Sequence, residues 1–243
     1  MSIENNEYPY YYSMGDCAIV AQFENIISIE VSRKIQSFLH MIKKHDIQGI
    51  TELLPAYNNL TIVYNPMLIK YDELIMELKK IEKDISDDIQ VESKTVHLPV
   101  AFGGEYGLDI DEIAERADLT SAEVIKMLHS KSYYVYMIGF IAGYPYCGNI
   151  DEKLRFKRRS NPRMSVKKGT VQIADKQVGI FTMDAPSGWH LVGWTPMEVF
   201  NPHHLPPGLL NAGDYVKLEP VSADFVQSWD EERQKEWNRE WNM

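Results

Sequence analysis

A Gly-rich stretch, residues 101–108 (AFGGEYGL), marks a change along this chain from alternating strand and helix patterns to a part richer in strands. That change restricts the architecture to an alternating α/β part followed by a part made mainly of strands. Before the break, Cys17–Phe23 (CAIVAQF) reads as a strand. From Ser28 to His45 the residues Ile29, Val31, Ile35, Phe38, Leu39 and Ile42 fall close to one helical face. Residues 47–55 and 60–64 read as strands joined by a turn at Tyr57-Asn58-Asn59. Asn65 and Pro66 suit the N-cap and first position of a second helix, whose core face is Leu68, Tyr71, Leu74, Ile75, Leu78 and Ile81. Asp88–Val100 reads as a closing strand. The expected order is β-α-β-β-α-β, a ferredoxin-like domain over residues 1–100.

A second domain is expected over residues 101–243. Asp109 with Glu112, and Thr120 with Glu123, have the spacing of capped helix starts. Two short helices should end near Ser130. From Tyr133 onward YYVYMIGF, GTVQIA, QVGIFTM, WHLVGW and YVKLEPV read as strands separated by turns, as in a closed β-barrel. The tail returns to helix. Phe225, Trp229, Trp237 and Trp241 recur at multiples of four, a stripe suited to packing on the body or to meeting a partner.

The 243 residues contain no run of about 18 apolar residues, so no transmembrane helix is expected. The start, MSIENNEYPYYYSMGD, lacks the basic and apolar regions of a signal peptide, and a cytoplasmic location is expected. Cys17 and Cys147 have no Cys or His at ligand spacing, which argues against a disulfide framework or a zinc site. A net charge of −10 disfavours general nucleic-acid binding. The charge is uneven. Residues 153–168 hold eight cations and no acid, which leaves 17 cations against 35 acids, −18, elsewhere. A basic island on an acidic body suits a local anion site or an acidic partner.

Candidate chemistry concentrates in residues 134–196. Arg158, Arg159 and Arg163 flank Asn161-Pro162, and arginine's planar fork matches carboxylate or phosphate. Tyr144 and Tyr146 can wall a pocket. Gln172 and Gln177 are expected to face each other across a turn at Asp175-Lys176, either satisfying backbone groups or holding a polar substrate. His190 suits proton transfer near neutral pH, or a structural role. Ser187 lacks the G-x-S-x-G elbow of a hydrolase nucleophile. Gly103-Gly104-Glu105-Tyr106-Gly107 precedes a helix but matches neither phosphate-loop spacing, and reads as a structural turn.

A set of ordered motifs carries a family resemblance over roughly residues 10–220. They include Gly15-Asp16, residues 50–57 (ITELLPAY), Tyr64-Asn65-Pro66, Leu98-Pro99, Gly139-Phe140 and Gly143-Tyr144-Pro145-Tyr146. Pro162-Arg163, Gly169-Thr170-Val171, Ile173-Ala174, Gln177, Gly179-Ile180, Gly188-Trp189, Gly193 and Thr195-Pro196 follow. The chain resembles the allophanate-hydrolase subunit 1 family, also called the KipI family, which includes the B-type subunit of bacterial 5-oxoprolinase. The resemblance implies a small α/β domain and a cyclophilin-like barrel. It also implies work with a KipA-type and a LamB/YcsF-type subunit, opening 5-oxoproline to glutamate with ATP held by the complex, at a shared site if this chain contributes. In that setting Arg158, Arg159, Arg163 and Lys168 are the candidate anion ligands, and His190 with Arg163 the candidate catalytic pair. Gln172, Gln177, Tyr144, Trp189 and Thr195 complete the substrate-facing set. The family also implies two alternatives: inhibition of a sporulation-type histidine kinase, or a carboxyltransferase-like role in urea or allophanate metabolism. The Gly-Gly-Ser-Ser signature of an amidase is absent, which disfavours autonomous allophanate hydrolysis.

Overall fold

A computed structural model describes residues 8–84 and 93–242. The chain forms two compact units, Met1–Glu92 and Ser93–Met243. In the first unit, β1 (Tyr10–Ser13), β2 (Ala18–Gln22), β3 (Ile50–Pro55) and β4 (Asn59–Tyr64) form one sheet in the order β1-β2-β4-β3. Each neighbouring pair is antiparallel. α1 (Ile29–His45) connects β2 to β3, and α2 (Tyr71–Ile81) follows β4. Ser28 caps α1, accepting from the Val31 amide at 3.2 Å, and Asp46 ends it in the left-handed region. Ile35, Phe38 and Ile42 of α1 meet Ile19, Leu60 and Ile62 of the sheet in a closed core.

Two expectations for this unit are corrected. The helix does not start at Pro66. Asn65 Oδ1 instead accepts from the Met67 amide at 3.0 Å, making a turn, and α2 begins five residues later. The unit's strands also do not follow the ferredoxin-like order. The sheet position beside β2 is taken by Tyr10–Ser13, from before β2, and no described strand after α2 joins this sheet. Residues 88–92 of the expected closing strand lie outside the described residues. Its remainder is β5 (Thr95–Phe102), which belongs to the second unit, so the division falls at 92/93 rather than at 100/101. The reason is pairing. β5 runs parallel to β13 (Tyr215–Pro220) along its length, from Thr95 beside Tyr215 to Val100 beside Pro220. A strand's apolar pattern does not say which sheet receives it.

The second unit is built on a closed barrel with the order β10-β7-β6-β13-β5-β12-β9. Besides β5 and β13, its strands are β6 (Ser132–Ile138), β7 (Pro145–Gly148), β9 (Thr170–Ala174), β10 (Gln177–Ile180) and β12 (His190–Trp194). A separate two-stranded pair joins β8 (Arg163–Val166) to β11 (Ala185–Ser187). Several barrel strands are covered on both faces, so burial does not alternate along them: every residue of β9 is buried, as are the neighbours Val100 and Ala101 of β5. α3 (Ile110–Ala117) and α4 (Ser121–His129) add Ile113, Val124 and Leu128 to the core formed by Val135, Val171, Ile173 and Val192. Thr120 and Glu123 form the expected capping box, with reciprocal bonds of 3.2 Å and 2.7 Å. Among the described residues no helix is long and apolar enough to cross a membrane.

The tail is two helices, not one. α5 (Ala223–Gln227) and α6 (Glu231–Trp241) are separated by a break at which Asp230 caps α6. The aromatic stripe survives the break because it packs on the barrel. Trp237 lies against Phe225, Trp229 and Trp241 at ring separations of 5.9, 6.2 and 5.5 Å. Its indole nitrogen donates to His97 O on β5 at 2.8 Å. Removing this ring by Trp237→Ala should cost the second unit about 3–5 kcal/mol. Trp237→Phe, which keeps an aromatic and loses the hydrogen bond, should cost about 1–2 kcal/mol. Urea denaturation of the two variants checks this, and a Trp237→Phe variant as stable as the parent would show that the indole donor adds nothing.

Candidate functional site

Asp109 stands immediately before α3, where an aspartate ordinarily accepts from the helix's own first turn. Here its side chain makes no capping bond. The carboxylate faces two other segments. Arg163 grips it with both terminal nitrogens, Nη1 at 2.9 Å and Nη2 at 2.7 Å. Arg159 Nη1 donates to it at 3.0 Å, and the Leu191 amide at 2.7 Å. Asp109 is only 3% exposed, so protein donors take the place of water. One turn later, Glu112 accepts from Arg159 at 3.0 Å and from Arg116 at 3.2 Å. Partial desolvation pushes the Glu112 carboxyl up, but these arginines outweigh it and hold the group below the usual carboxylate range.

The basic segment 155–163 has little regular structure, yet it is tied down along its length. The Asp175 amide donates to Phe156 O at 2.7 Å, and the Arg159 amide to Gly188 O at 2.7 Å. His190 Nε2 lies 3.0 Å from Lys157 O. A carbonyl only accepts, so Nε2 carries the proton. The Arg116 guanidinium sits 4.3 Å above the Phe156 ring. The segment is therefore a strap fixed across the barrel, not a solvated basic loop. On its outer side Arg158 is exposed, and its guanidinium lies 5.6 Å from the Trp189 ring centre.

Beneath Trp189 runs a buried chain of hydrogen bonds. The Trp189 amide donates to Ser187 Oγ at 3.0 Å, Ser187 Oγ to Gln172 Oε1 at 2.6 Å, and Gln172 Nε2 to Tyr144 Oη at 2.8 Å. The Tyr144 ring meets Tyr146, Phe181 and Trp189 edge-on at 4.9, 5.5 and 6.4 Å. Gly179 is required here, because a Cβ would collide with the Tyr144 hydroxyl. Desolvation raises the Tyr146 hydroxyl's pKa, while Arg158 pulls it the other way.

The sequence-expected residues thus separate. Arg158, Tyr144, Gln172 and Trp189 come together. Arg159 and Arg163 are bound by Asp109. His190 is 1% exposed, with Nδ1 lacking a hydrogen-bond partner and the ring against Phe156 at 6.1 Å. Lys168 pairs with Glu198 at 2.9 Å. Thr195 is buried, with its amide on Gly169 O at 2.9 Å and its hydroxyl accepting from the Met197 amide at 3.2 Å. Gln177 does not face Gln172: the two-residue turn, with Asp175 at φ 51°, sets Gln177 opposite Ala174 and Gln172 opposite Gly179. The glycine loop is internally bonded, with the Gly103 amide on Val192 O and the Tyr106 and Gly107 amides on Gly103 O. Asp109 and Glu112 were readable in sequence only as helix caps. Among the described residues no group of three His, Cys, Asp or Glu is placed to hold a metal ion. In the first unit a groove of about 410 Å³ runs between the end of α1 and β3, with Lys43, Asp46 and Glu52 in its lining.

The sequence pattern of the family described as carboxyltransferase domain, subdomain C and D, matches residues 9–210. The B-type subunit of 5-oxoprolinase from Bacillus subtilis (strain 168) is 32% identical over 229 residues, covering 90% of this chain and 95% of that one. The chain belongs to the family of B-type 5-oxoprolinase subunits. The corresponding protein of Haemophilus influenzae is 34% identical over 207 residues, 84% of this chain and 94% of that one. Among solved structures, TTHA0988 superposes with a TM-score of 0.75 at 28% identity, over 85% of this chain and 40% of that one.

The Asp109 cluster makes a direct prediction. Asp109→Ala leaves Arg163 and the Leu191 amide without their acceptor and Arg159 with Glu112 alone, and should cost about 3 kcal/mol. Arg163→Ala added to Asp109→Ala should then cost much less than Arg163→Ala alone, measured by urea denaturation in a double-mutant cycle. Additive losses would show that the pair is not coupled.

Proposed function

We propose that this chain is the B-type component of an ATP-dependent 5-oxoprolinase, which opens 5-oxoproline to glutamate together with a KipA-type and a LamB/YcsF-type subunit. The observation that carries this reading is the near end-to-end likeness to two proteins named as B-type 5-oxoprolinase subunits, over 95% and 94% of their lengths. The geometry supports a contributing role over a self-sufficient one. The Ser187 hydroxyl is bonded to Gln172, away from His190, whose Nε2 is bonded to Lys157 O. That leaves no nucleophile–base pair between them.

ATP is the cofactor of this reading, and this chain's candidate groups do not form a triphosphate cradle. The Gly103, Tyr106 and Gly107 amides are bonded within the chain. Arg159, Arg163 and Lys168 are paired with Asp109, Glu112 and Glu198. We therefore assign ATP to a surface completed by a partner and route no step of its chemistry through these residues. What this chain supplies is a rigid barrel face with an exposed arginine.

Reconstitution tests the reading. The three subunits together should release ADP in proportion to 5-oxoproline consumed, and this chain alone should release none. A complete mixture that shows no 5-oxoproline-dependent ADP release would rule the proposal out.

A further inference from the structure

Of the four arginines in the basic run, three are neutralised by carboxylates. Arg155 pairs with Glu152, Arg159 with Asp109 and Glu112, and Arg163 with Asp109. Among the described residues Arg158 has no such acid; what it has is a ring. An arginine lying on an aromatic face keeps its in-plane N–H groups free at the edge, because the ring engages only the face of the guanidinium. The residues on either side of it in the chain are fixed through main-chain bonds, Lys157 O to His190 and the Arg159 amide to Gly188. Trp189 is fixed from below by Ser187 and by the rings of Tyr144 and Tyr146. Arg158 is thus an exposed fork on a seat that is already built.

We propose that Arg158, seated on Trp189, is the subsite that recognises the carboxylate of a small acidic substrate. The proposal rests on the 5-oxoprolinase reading and deepens it: the group bound is the ring acid's carboxylate, not the lactam being opened. A planar carboxylate meets the guanidinium edge through two parallel N–H···O bonds. Phosphate can be gripped by the same fork, so the nucleotide is the competing source of this chemistry.

Steady-state kinetics of the reconstituted complex separate these outcomes. Arg158→Ala should raise KM for 5-oxoproline about 10- to 100-fold, the loss expected for charged hydrogen bonds, with kcat and KM for ATP within about twofold. Arg158→Lys, which keeps the charge and loses the fork, should fall between. Lys153→Ala, the same loss of charge elsewhere in the run, should leave KM unchanged. 5-Oxoprolinamide, the neutral isostere, should compete poorly against wild type, and its inhibition constant should be indifferent to Arg158→Ala. An unchanged KM for 5-oxoproline in an active Arg158→Ala complex overturns the proposal and leaves the 5-oxoprolinase reading standing. A shift in KM for ATP instead assigns the fork to phosphate and also overturns it. Failure of Arg158→Ala to assemble, seen by gel filtration, would make Arg158 a partner contact and overturn it as well.

Discussion

The second unit depends on one carboxylate. Asp109 is buried, and a buried carboxylate is tolerated only when hydrogen-bond donors replace its water and a cation balances its charge. It receives both: two guanidiniums and the Leu191 amide. Those donors come from the strap and from the start of β12, while Asp109 itself opens α3. One group therefore sets the mutual position of three segments that share no hydrogen-bonded ladder. The Asp109 amide, donating to Leu191 O at 3.0 Å, closes the contact from the main chain as well.

This changes what the basic island is. Eight cations within sixteen residues, without an acid between them, would repel one another as a free loop. Acids from outside the run resolve the repulsion: Glu152 beside Arg155 near its start, Asp109 and Glu112 beside Arg159 and Arg163, and Glu198 beside Lys168 at its end. Several of the charges that make the run conspicuous in sequence thus serve to fold it. The anion-binding capacity suggested by composition is correspondingly smaller, and in the reading proposed above it rests on Arg158, whose neighbour is an indole rather than a carboxylate.

Much of the fold is legible in the sequence where the signal is local. The Ser28 cap, the Thr120–Glu123 box and the α1 core face all depend on residues within a few positions of each other. Barrel strands β6, β9, β10, β12 and β13 are legible for the same reason, whereas β7 (Pro145–Gly148), in a stretch rich in Gly and Pro, is not. Long-range pairing is not. Thr95–Phe102 reads correctly as a strand, but its partner β13 lies about 120 residues on, and nothing in a period-two pattern names that partner. Likewise YYYS at Tyr10–Ser13 carries no sign that it will supply a sheet edge. The site divides the same way. Arginine, glycine and tryptophan mark the region, but Asp109 looks like any helix-opening aspartate, because the residues that give it another role lie 50 and 54 positions away.

The buried chain beneath the strap explains why an exposed arginine there can be specific. A flexible surface guanidinium must lose rotamer freedom on binding, and that loss offsets much of what an ion pair gains in water. Arg158 is held differently. Its backbone is fixed on both sides, and its guanidinium rests on an indole that is only 5% exposed. The indole's own amide is held by Ser187, Ser187 by Gln172, and Gln172 by Tyr144, which in turn needs the absence of a side chain at Gly179. Each link fixes the next, from barrel interior to surface. A missing Cβ inside the barrel thereby helps decide where a positive charge stands outside it, and the ordering cost of the arginine is met largely in folding rather than in binding.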